Sequence, residues 1–395
     1  MDSLTTIERQ RTGERRLWLA ALVLGALALH APLFFQYPAG DVIMFVVPWY
    51  NHILEHGRLG TFAAPFSNYS PPYLYLLSAT SLLDSLVQSY YLVKLLAWVG
   101  AGWLVIAAWR LLRSLDARPV LGLAVLLLPS VVANVSMLGQ ADTFWVAPCV
   151  LSVAAAVRGR WFWVAFWSGL AFAFKMQAAF IAPFVLHLFV TRRVSWNIWL
   201  VAPAVWIGAM LPAWLLGWPA WDLASIYLRQ AMWQPDKPPF YFISNGASWW
   251  TIYGWMFPQL ALRTFWVGFA LGFAAIGAGL IFVRKLSART TVVLAILSAA
   301  GIPFLLPGMH ERFYLLSDVL AVVYALAFPS RRSISAAVLM QFASAFPVYV
   351  WALQIEPWHL LSPPLAAVAL FLFLRELADP AERVRPWPAR AAQAA

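Results

Sequence analysis

The sequence has little charge and almost no cysteine. Only 11% of its residues are charged, whereas a soluble domain normally carries about 25%. This shortage excludes an ordinary soluble globular domain. Cys149 is the only cysteine, so the chain cannot form an internal disulfide. We expect its thiol to pack among apolar side chains.

The common nucleotide, metal and hydrolase motifs are missing as well. The chain has no Walker loop, no dinucleotide-binding glycine pattern, no HExxH pair and no GxSxG turn. Each of these motifs places particular backbone amides, ligands or a nucleophile for one class of chemistry. The six histidines are scattered and no Cys/His metal set is present. None of these chemistries therefore explains the chain.

Apolar runs dominate what is there. Hydrophobic residues make up 63% of the chain, and the mean hydropathy is +0.74. A run of roughly 17 to 25 apolar residues can cross a bilayer as one helix. The sequence therefore predicts an all-α polytopic membrane protein with a single membrane domain over residues 1–395. We place about twelve transmembrane helices, near residues 17–35, 87–109, 120–138, 142–157, 161–174, 177–190, 196–216, 263–283, 291–306, 313–328, 333–350 and 358–374.

The net charge of +11 could indicate nucleic-acid binding, but the placement of the charges argues against it. Basic residues gather at alternate ends of the predicted spans, as they do in cytoplasmic loops. We therefore predict a plasma-membrane protein with cytoplasmic tails at residues 1–16 and 376–395, and the bilayer rather than nucleic acid as its partner. The basic positions are Arg9, Arg11, Arg15, Arg16, Arg110, Arg113, Arg118, Arg158, Arg160, Arg192, Arg193, Arg284, Lys285, Arg289, Arg331, Arg332, Arg375, Arg383, Arg385 and Arg390.

The first apolar run contains Ala26-Leu27-Ala28, which resembles a signal-peptidase site. The run continues to Phe35, which is long for a signal sequence, so we favour an uncleaved first span. The sequence alone leaves open whether residues 1–28 are removed.

Two long segments, 36–86 and 217–262, then face the outer side. Apolar residues recur at helical spacing between positions 46 and 54, which predicts an amphipathic helix lying in the membrane interface. Pro48 suits the first turn of this helix and Gly57 suits its end. The second segment is rich in Trp and Tyr, which favour the interface. We expect both segments to wall a cavity at the outer surface.

Ionisable residues beside apolar spans are candidates for function, because a charge at the bilayer centre costs about 2.5–3.5 kcal/mol on insertion scales. Asp41 follows Gly40 just outside the first span. It could be a general base facing the cavity, the N-cap of the amphipathic helix, or both. Gln140 and Asp142 lie at an outer turn, where Asp142 could act on a substrate or cap the next helix.

Two further groups interrupt apolar sequence on the same side. Lys175 and Gln177 lie at the outer end of a span, where Lys175 could bind phosphate or simply extend to the interface. His310, Glu311 and Arg312 form the densest polar cluster of the chain. This cluster is either functional or a solvated turn with a Glu–Arg pair.

Asp318 lies seven residues after Glu311, on the same helical face, where it would line the cavity or support the cluster. Nearly all these groups fall on one membrane face, which suits an enzyme whose substrate arrives in the outer leaflet. A carrier would place them near the midplane. A lipid-linked phosphate would keep its tail in the bilayer and meet Lys and Arg. A transporter or flippase of a lipid-linked sugar, and a scaffold without activity, are the alternatives.

Four segments, in this order, resemble the GT-C class of integral-membrane glycosyltransferases. They are GDVIMFVVPWYNHILEHG with FSNYSPPYLYL, LGQADTFWVAP, FKMQAAF and MHERFY. The chain looks like bacterial mannosyltransferases related to the second GPI-anchor mannosyltransferase, and it is similar to the dolichyl-phosphate-glucose-dependent glucosyltransferases. The likeness covers most of residues 30–325. Departures from the pattern surround the sugar-facing region and bear on the identity of the donor: Ser70, Leu138, Thr143 and Met176.

The resemblance implies an inverting transferase that moves a hexose, mannose or glucose, from a polyprenyl phosphate sugar to a lipid-linked or envelope glycan acceptor on the outer face. It implies a catalytic carboxylate in the first outer segment, which corresponds to Asp41. Lys175, His310 and Arg312 would then stabilise the donor phosphate. Two acids are too few to decide whether a divalent metal takes part. The residues that we expect to contact the sugar or the acceptor are Tyr69, Tyr73, Gln140, Asp142, Gln177 and Glu311.

Overall fold

The computed structural model describes residues 2–36, 39–232, 246–281, 286–353, 355 and 358–377. Every regular element in these ranges is a helix, which confirms the all-α prediction. The α-helices in the described ranges are α1 Asp2–Gln36, α2 Val47–His56, α3 Pro71–Thr80, α4 Ser89–Ser114, α5 Pro129–Val132, α6 Thr143–Val157, α7 Trp161–Phe174, α8 Ala182–Thr191, α9 Trp196–Trp199, α10 Val201–Leu215, α11 Ala220–Ala224, α12 Ile226–Met232, α13 Trp249–Met256, α14 Pro258–Ile281, α15 Ala288–Leu305, α16 Leu315–Ala327, α17 Arg331–Leu353 and α18 Ser362–Leu377.

Shorter helical turns join several of these helices. Two of them are π-helical, Val42–Val46 and Ala133–Met137, and π-helical turns are frequent at functional sites. The 3₁₀ turns are Gly60–Ala63, Ser81–Leu83, Pro119–Leu127, Met176–Ile181, Glu311–Tyr314 and Trp358–Leu361.

Each of the twelve predicted spans overlaps helical structure within the described ranges, but not every one is a full-length span. Five helical stretches in the described chain are long and apolar enough to cross a membrane, or six if one bent pair counts as a span. The protein therefore has the architecture of a helical multi-pass membrane protein, and the count of twelve stays a prediction. The five stretches are Ser89–Ser114, Trp196–Leu215, Ala288–Leu305, Arg331–Val350 and Trp358–Leu377.

The predicted span 120–138 is broken in the middle. The axis of its second half, Pro129–Met137, is bent by 62° from that of its first half, Pro119–Leu127. Proline favours extended backbone in the residue before it, and Leu128 has φ −69° and ψ 127°. The second half ends in the π-helical turn, and this break aims residues 134–142 toward the site described below.

The amphipathic helix of the first outer segment is α2. Pro48 lies in its first turn and Gly57, with φ 77°, ends it, as predicted. Tyr50 and Ile53 are buried against the bundle, whereas Glu55 on the other face is exposed. The helix is therefore amphipathic, although Leu54, at the end of the predicted apolar stretch, is 44% exposed. That the helix lies in the membrane interface stays a prediction.

The predicted loops and tails are described only in part. Residues 2–16 continue α1 as helix. Residues 37–38 of the first outer segment, 233–245 of the second, and 378–395 of the C-terminal tail lie outside the described ranges.

Helices α7 and α10 pack closely where small residues meet. A Cβ added to Gly169 of α7 would lie only 2.5 Å from the carbonyl oxygen of Ala202 in α10. Close backbone approach at small residues is the usual way membrane helices associate. The C-terminal end of α7, five residues further on, leads directly into the site.

The end of the bundle opposite the site carries a buried ion cluster. Glu376 of α18 is 2% exposed, and Arg289 and Tyr324 both donate to its Oε2. Arg332 stands 3.6 Å from its other oxygen. The basic ends of α15 and α17 therefore meet at one end, as the alternating charge pattern predicts. Which side of a membrane this end faces stays a prediction.

Candidate functional site

The candidate site forms where segments far apart in the sequence meet at one end of the bundle. The π-helical entry to α2, the turn before α6, the turn after α7 and the 3₁₀ turn before α16 all contribute polar side chains to it. Six of the predicted residues make direct contacts there, in two sets. Gln140 and Arg312 contact Asp41, and Asp142 and Tyr69 contact Lys175.

Asp41 lies at the start of the π-helical turn and is held by two donors. Gln140 Nε2 and Arg312 Nη1 each donate to its Oδ2 at 2.8 Å. Its side chain caps no backbone amide, so the N-cap interpretation is wrong. The side chain is 40% exposed, and its Oδ1 has no hydrogen-bond partner within the described residues. One carboxylate oxygen is therefore fixed and the other is open.

Asp142 is a fully buried carboxylate in a complete set of donors. Lys175 Nζ donates to its Oδ1 at 2.5 Å and Trp145 Nε1 donates to the same oxygen at 2.9 Å. Asn134 Nδ2 donates to Oδ2 at 2.9 Å. The carboxylate makes no helix-cap bond, so it holds a lysine and does not cap α6.

Lys175 has extended backbone geometry and links α7 to the following 3₁₀ turn. Its ammonium stands 5.3 Å from the centre of the Tyr69 ring, a distance at which a cation is attracted to the ring face. Ser70 Oγ donates to the carbonyl oxygens of Ala173 and Phe174 at 2.7 and 2.8 Å. The segment Tyr69–Tyr75, which contains Pro71 and Pro72, is thereby tied to the backbone just before the lysine.

Arg312 reaches Asp41 across 271 positions of sequence. The alternative in which Arg312 pairs with its neighbour Glu311 in a solvated turn is therefore not what the structure shows. Glu311 Oε2 instead stands 4.0 Å from His310 Nδ1. The cluster at 310–312 and the first outer segment thus form one site.

Neighbouring charges set the protonation of the cations. Burial lowers the pKa of Lys175, but the Asp142 carboxylate raises it more, and the net pKa is above the ordinary lysine value. For Arg312, burial also opposes the charge, while Asp142 and Asp41 raise the pKa further. Both side chains are therefore cations at neutral pH.

His310 behaves in the opposite way. Solvent reaches 45% of its side chain, and its ring packs edge-on against Phe313. Burial first, and then the Arg312 charge, lower the pKa of His310 below its ordinary value of 6.5. The imidazole is therefore neutral at pH 7, and it can donate or accept one hydrogen bond.

Two predicted contact residues take supporting positions. Tyr73 is 2% exposed, and its ring packs against Tyr69 and Phe144, so it holds the Tyr69 ring in place. Gln177 lies in the 3₁₀ turn after Lys175 and makes no hydrogen bond to the other site residues described. Its buried Oε1 has no partner in the described chain.

Asn134 is the main site residue that sequence reasoning missed. It begins an Asn-Val-Ser triplet, which is a glycosylation sequon. The side chain is only 2% exposed and its amide holds Asp142. The break in the predicted span 120–138 is the signal that could have found it, since broken membrane helices often contribute to sites.

The donor set does not suit a metal ion. Asp41 and Asp142 are each bonded to a cationic side chain. Over the residues that the structure describes, no three His, Cys, Asp or Glu side chains gather as metal ligands would. The chemistry that these residues support is proton transfer at Asp41 with two cations close by.

No protein-family model matches the chain, and a search of curated protein sequences found no match either.

Proposed function

We propose that the protein is an inverting glycosyltransferase that moves a hexose from a polyprenyl phosphate sugar to a glycan or glycolipid acceptor at the outer membrane face. The observation that carries this proposal is the state of Asp41. Arg312 and Gln140 hold its Oδ2, while Oδ1 stays open at a site that also contains two partly buried cations, Arg312 and Lys175. Mannose and glucose are the hexoses that the family resemblance favours.

Asp41 is the general base in this proposal. Its Oδ1 takes the proton from the acceptor hydroxyl as the hydroxyl oxygen attacks the anomeric carbon. A positioned base contributes about 10²- to 10⁴-fold to such a step. The two bonds to Oδ2 keep the carboxylate in one orientation, so that it need not be reoriented during the reaction. The new glycosidic bond forms as the bond to the phosphate oxygen breaks.

The departing polyprenyl phosphate carries away the bonding electrons and gains one negative charge. Arg312 is the cation best placed to stabilise it, because its side chain is 22% exposed and already lies at Asp41. Neutral His310 can add a hydrogen bond. In many enzymes most of the rate enhancement comes from stabilising charge where it develops in the transition state. No proton donor is needed, since a phosphate is a good leaving group.

Lys175 attracts the donor phosphate electrostatically from a distance and does not bind it directly. Its side chain is 11% exposed and its ammonium is bonded to a fully buried carboxylate. Moving it away would leave Asp142 buried and unpaired, which is strongly unfavourable. The pair instead fixes the ammonium beside the Tyr69 ring, which we propose as the surface on which the sugar stacks.

The decisive experiment is a transfer assay with full-length purified protein. A panel of short-chain polyprenyl phosphate mannose and glucose donors is incubated with membrane lipid extract as acceptor. Release of polyprenyl phosphate and gain of hexose by the acceptor are measured. We expect one donor to be consumed with stoichiometric transfer. Movement of the donor across vesicles without transfer would instead identify a flippase.

Asp41→Asn tests the assigned base. The amide oxygen can still accept from Gln140 and Arg312, but the group cannot take a proton. We therefore expect at least a hundredfold loss of kcat, the lower limit of the general-base contribution. Donor binding, measured with radiolabelled donor, should persist. Asp84→Asn is the matched control, because Asp84 is an exposed acid of the same segment that accepts from Tyr50. Normal turnover in Asp41→Asn would refute the assignment.

A further inference from the structure

A small cavity lies beside the site and is lined in part by Arg312. It has a volume of about 10 Å³, which is the room that a single water molecule needs. Its walls come from the broken span, the 3₁₀ turn before α16, and α16 and α17. Its polar lining residues are Ser130, Asn134, Glu311, Arg312, Asp318 and Ser344.

Three of the lining residues each have one buried polar atom that finds no hydrogen-bond partner among the described residues. These atoms are Asn134 Oδ1, Asp318 Oδ1 and Arg312 Nε. Asn134 and Asp318 are 2% and 0% exposed, so bulk water does not reach them. A buried polar atom left without a partner costs about 1–3 kcal/mol, and native structures usually satisfy it with protein or ordered water.

The chemistry of the three atoms selects the ligand. Two are acceptors and one is a donor, since the guanidinium nitrogens of arginine only donate. A metal cation would face the positive Arg312, and an anion would face two acceptor oxygens. A water molecule has two hydrogens for the two oxygens and a lone pair for Arg312 Nε. Three bonds are typical of a buried water.

We propose that this cavity holds one ordered water molecule, which donates to Asn134 Oδ1 and Asp318 Oδ1 and accepts from Arg312 Nε. Asn134 and Asp318 are then positioning residues for Arg312. They act on the Nε side of the guanidinium, whereas Nη1 holds Asp41. Ser344 Oγ in turn donates to Asp318 Oδ2 at 2.5 Å, which orients the carboxyl group toward the cavity.

The water also connects the two ion pairs of the site. Asn134 bonds Asp142 through Nδ2 and the water through Oδ1, and the water bonds Arg312. The Asp142–Lys175 pair and the Asp41–Arg312 pair therefore share one rigid support. The catalytic part of this inference rests on the proposed function, whereas the water itself does not.

The first test is structural and needs no activity. A cryo-electron microscopy map of the full-length protein in lipid nanodiscs, at about 2 Å resolution, should show one peak within hydrogen-bond distance, about 2.7–3.2 Å, of all three atoms. An empty cavity would overturn the inference. A peak at about 2.3–2.6 Å from oxygen atoms only, with Arg312 turned away, would mark a cation and would overturn it as well.

The second test uses the transfer assay. Asp318→Asn keeps an acceptor oxygen and should leave kcat within about threefold of the parent. Asp318→Leu removes the acceptor and should lower kcat about tenfold, the change that corresponds to one hydrogen bond to a charged group, with an unchanged donor dissociation constant. In an Arg312→Lys background, which lacks Nε, Asp318→Leu should have no further effect on kcat.

Fully additive effects in that cycle would overturn the positioning role, and so would an equal loss in Asp318→Asn and Asp318→Leu. If Asp318→Leu does not fold, the map still decides whether the water is present. An empty cavity in an active protein contradicts this inference alone. A protein that transfers no hexose but shows the water contradicts the proposed function alone.

Discussion

Replacing Lys175 by Met should destabilise the protein strongly, because the substitution leaves a buried carboxylate without its cation. Asp142 is completely inaccessible to solvent, and Lys175 is the cationic side chain bonded to it. Removing one partner of a buried ion pair typically costs about 3–5 kcal/mol. Asp142 keeps its bonds from Asn134 and Trp145, so we expect a loss near the lower end, about 3 kcal/mol.

The double variant Lys175→Met/Asp142→Asn should recover most of that loss. Replacing a whole buried pair by neutral groups is often nearly neutral for stability. We therefore expect the double variant to lie within about 1–2 kcal/mol of the parent, so that the two substitutions are clearly non-additive. Asp142→Asn alone leaves a buried ammonium and should be destabilising on the same scale as Lys175→Met.

The measurement is the free energy of unfolding in mixed detergent micelles, followed by tryptophan fluorescence. A matched control exists in the pair of Arg229 and Asp222, whose side chains are 48% and 25% exposed. An exposed pair contributes about 0–1 kcal/mol, so Arg229→Met should lie in that range. A loss below about 1 kcal/mol in Lys175→Met, or simple additivity in the double variant, would refute the buried ion pair.

Two other perturbations test the geometry and the topology. Gly139→Ala should abolish most activity, because Gly139 has φ +59° and an added Cβ would lie 2.8 Å from Val42 Cγ2, next to Asp41. The measurements are thermal unfolding and the transfer assay, with Gly102→Ala as the unhindered control. Unchanged stability and unchanged transfer in Gly139→Ala would contradict the prediction. His310→Cys should react with an impermeant thiol reagent in intact cells. The parent protein, whose Cys149 is buried, is the control. Labelling only after the cells are permeabilised would reverse the predicted orientation.

Several members of the site could be predicted because a carboxylate or an ammonium is conspicuous in apolar sequence. Asp41, Lys175 and Arg312 stand out in this way, and the four-segment resemblance points to the same stretches. Their partners could not be predicted. Proximity in the sequence pairs Glu311 with Arg312, yet Arg312 bonds Asp41, since backbone geometry at the 3₁₀ turn points adjacent side chains in different directions.

The basic residues show the same limit at the other end of the bundle. Arg289 and Arg332 could be assigned to one membrane side from their position between apolar runs. That both converge on Glu376, 2% exposed, depends on how α15, α17 and α18 pack. No feature near Glu376 in the sequence distinguishes it from a solvated acid of a tail.

An apolar run forms a membrane helix, and a charge within it is conspicuous, because of the residues nearby in the sequence. The amino-acid sequence therefore determines the class of structure, the helices and most of the residues that meet in the site. The pairing of acids with bases, the open oxygen of Asp41 and the position of Asn134 between two ion pairs arise only when the helices pack. Those outcomes depend on contacts between segments far apart in the chain, and the energy of such contacts is set by distance, orientation and burial, none of which a sequence position contains.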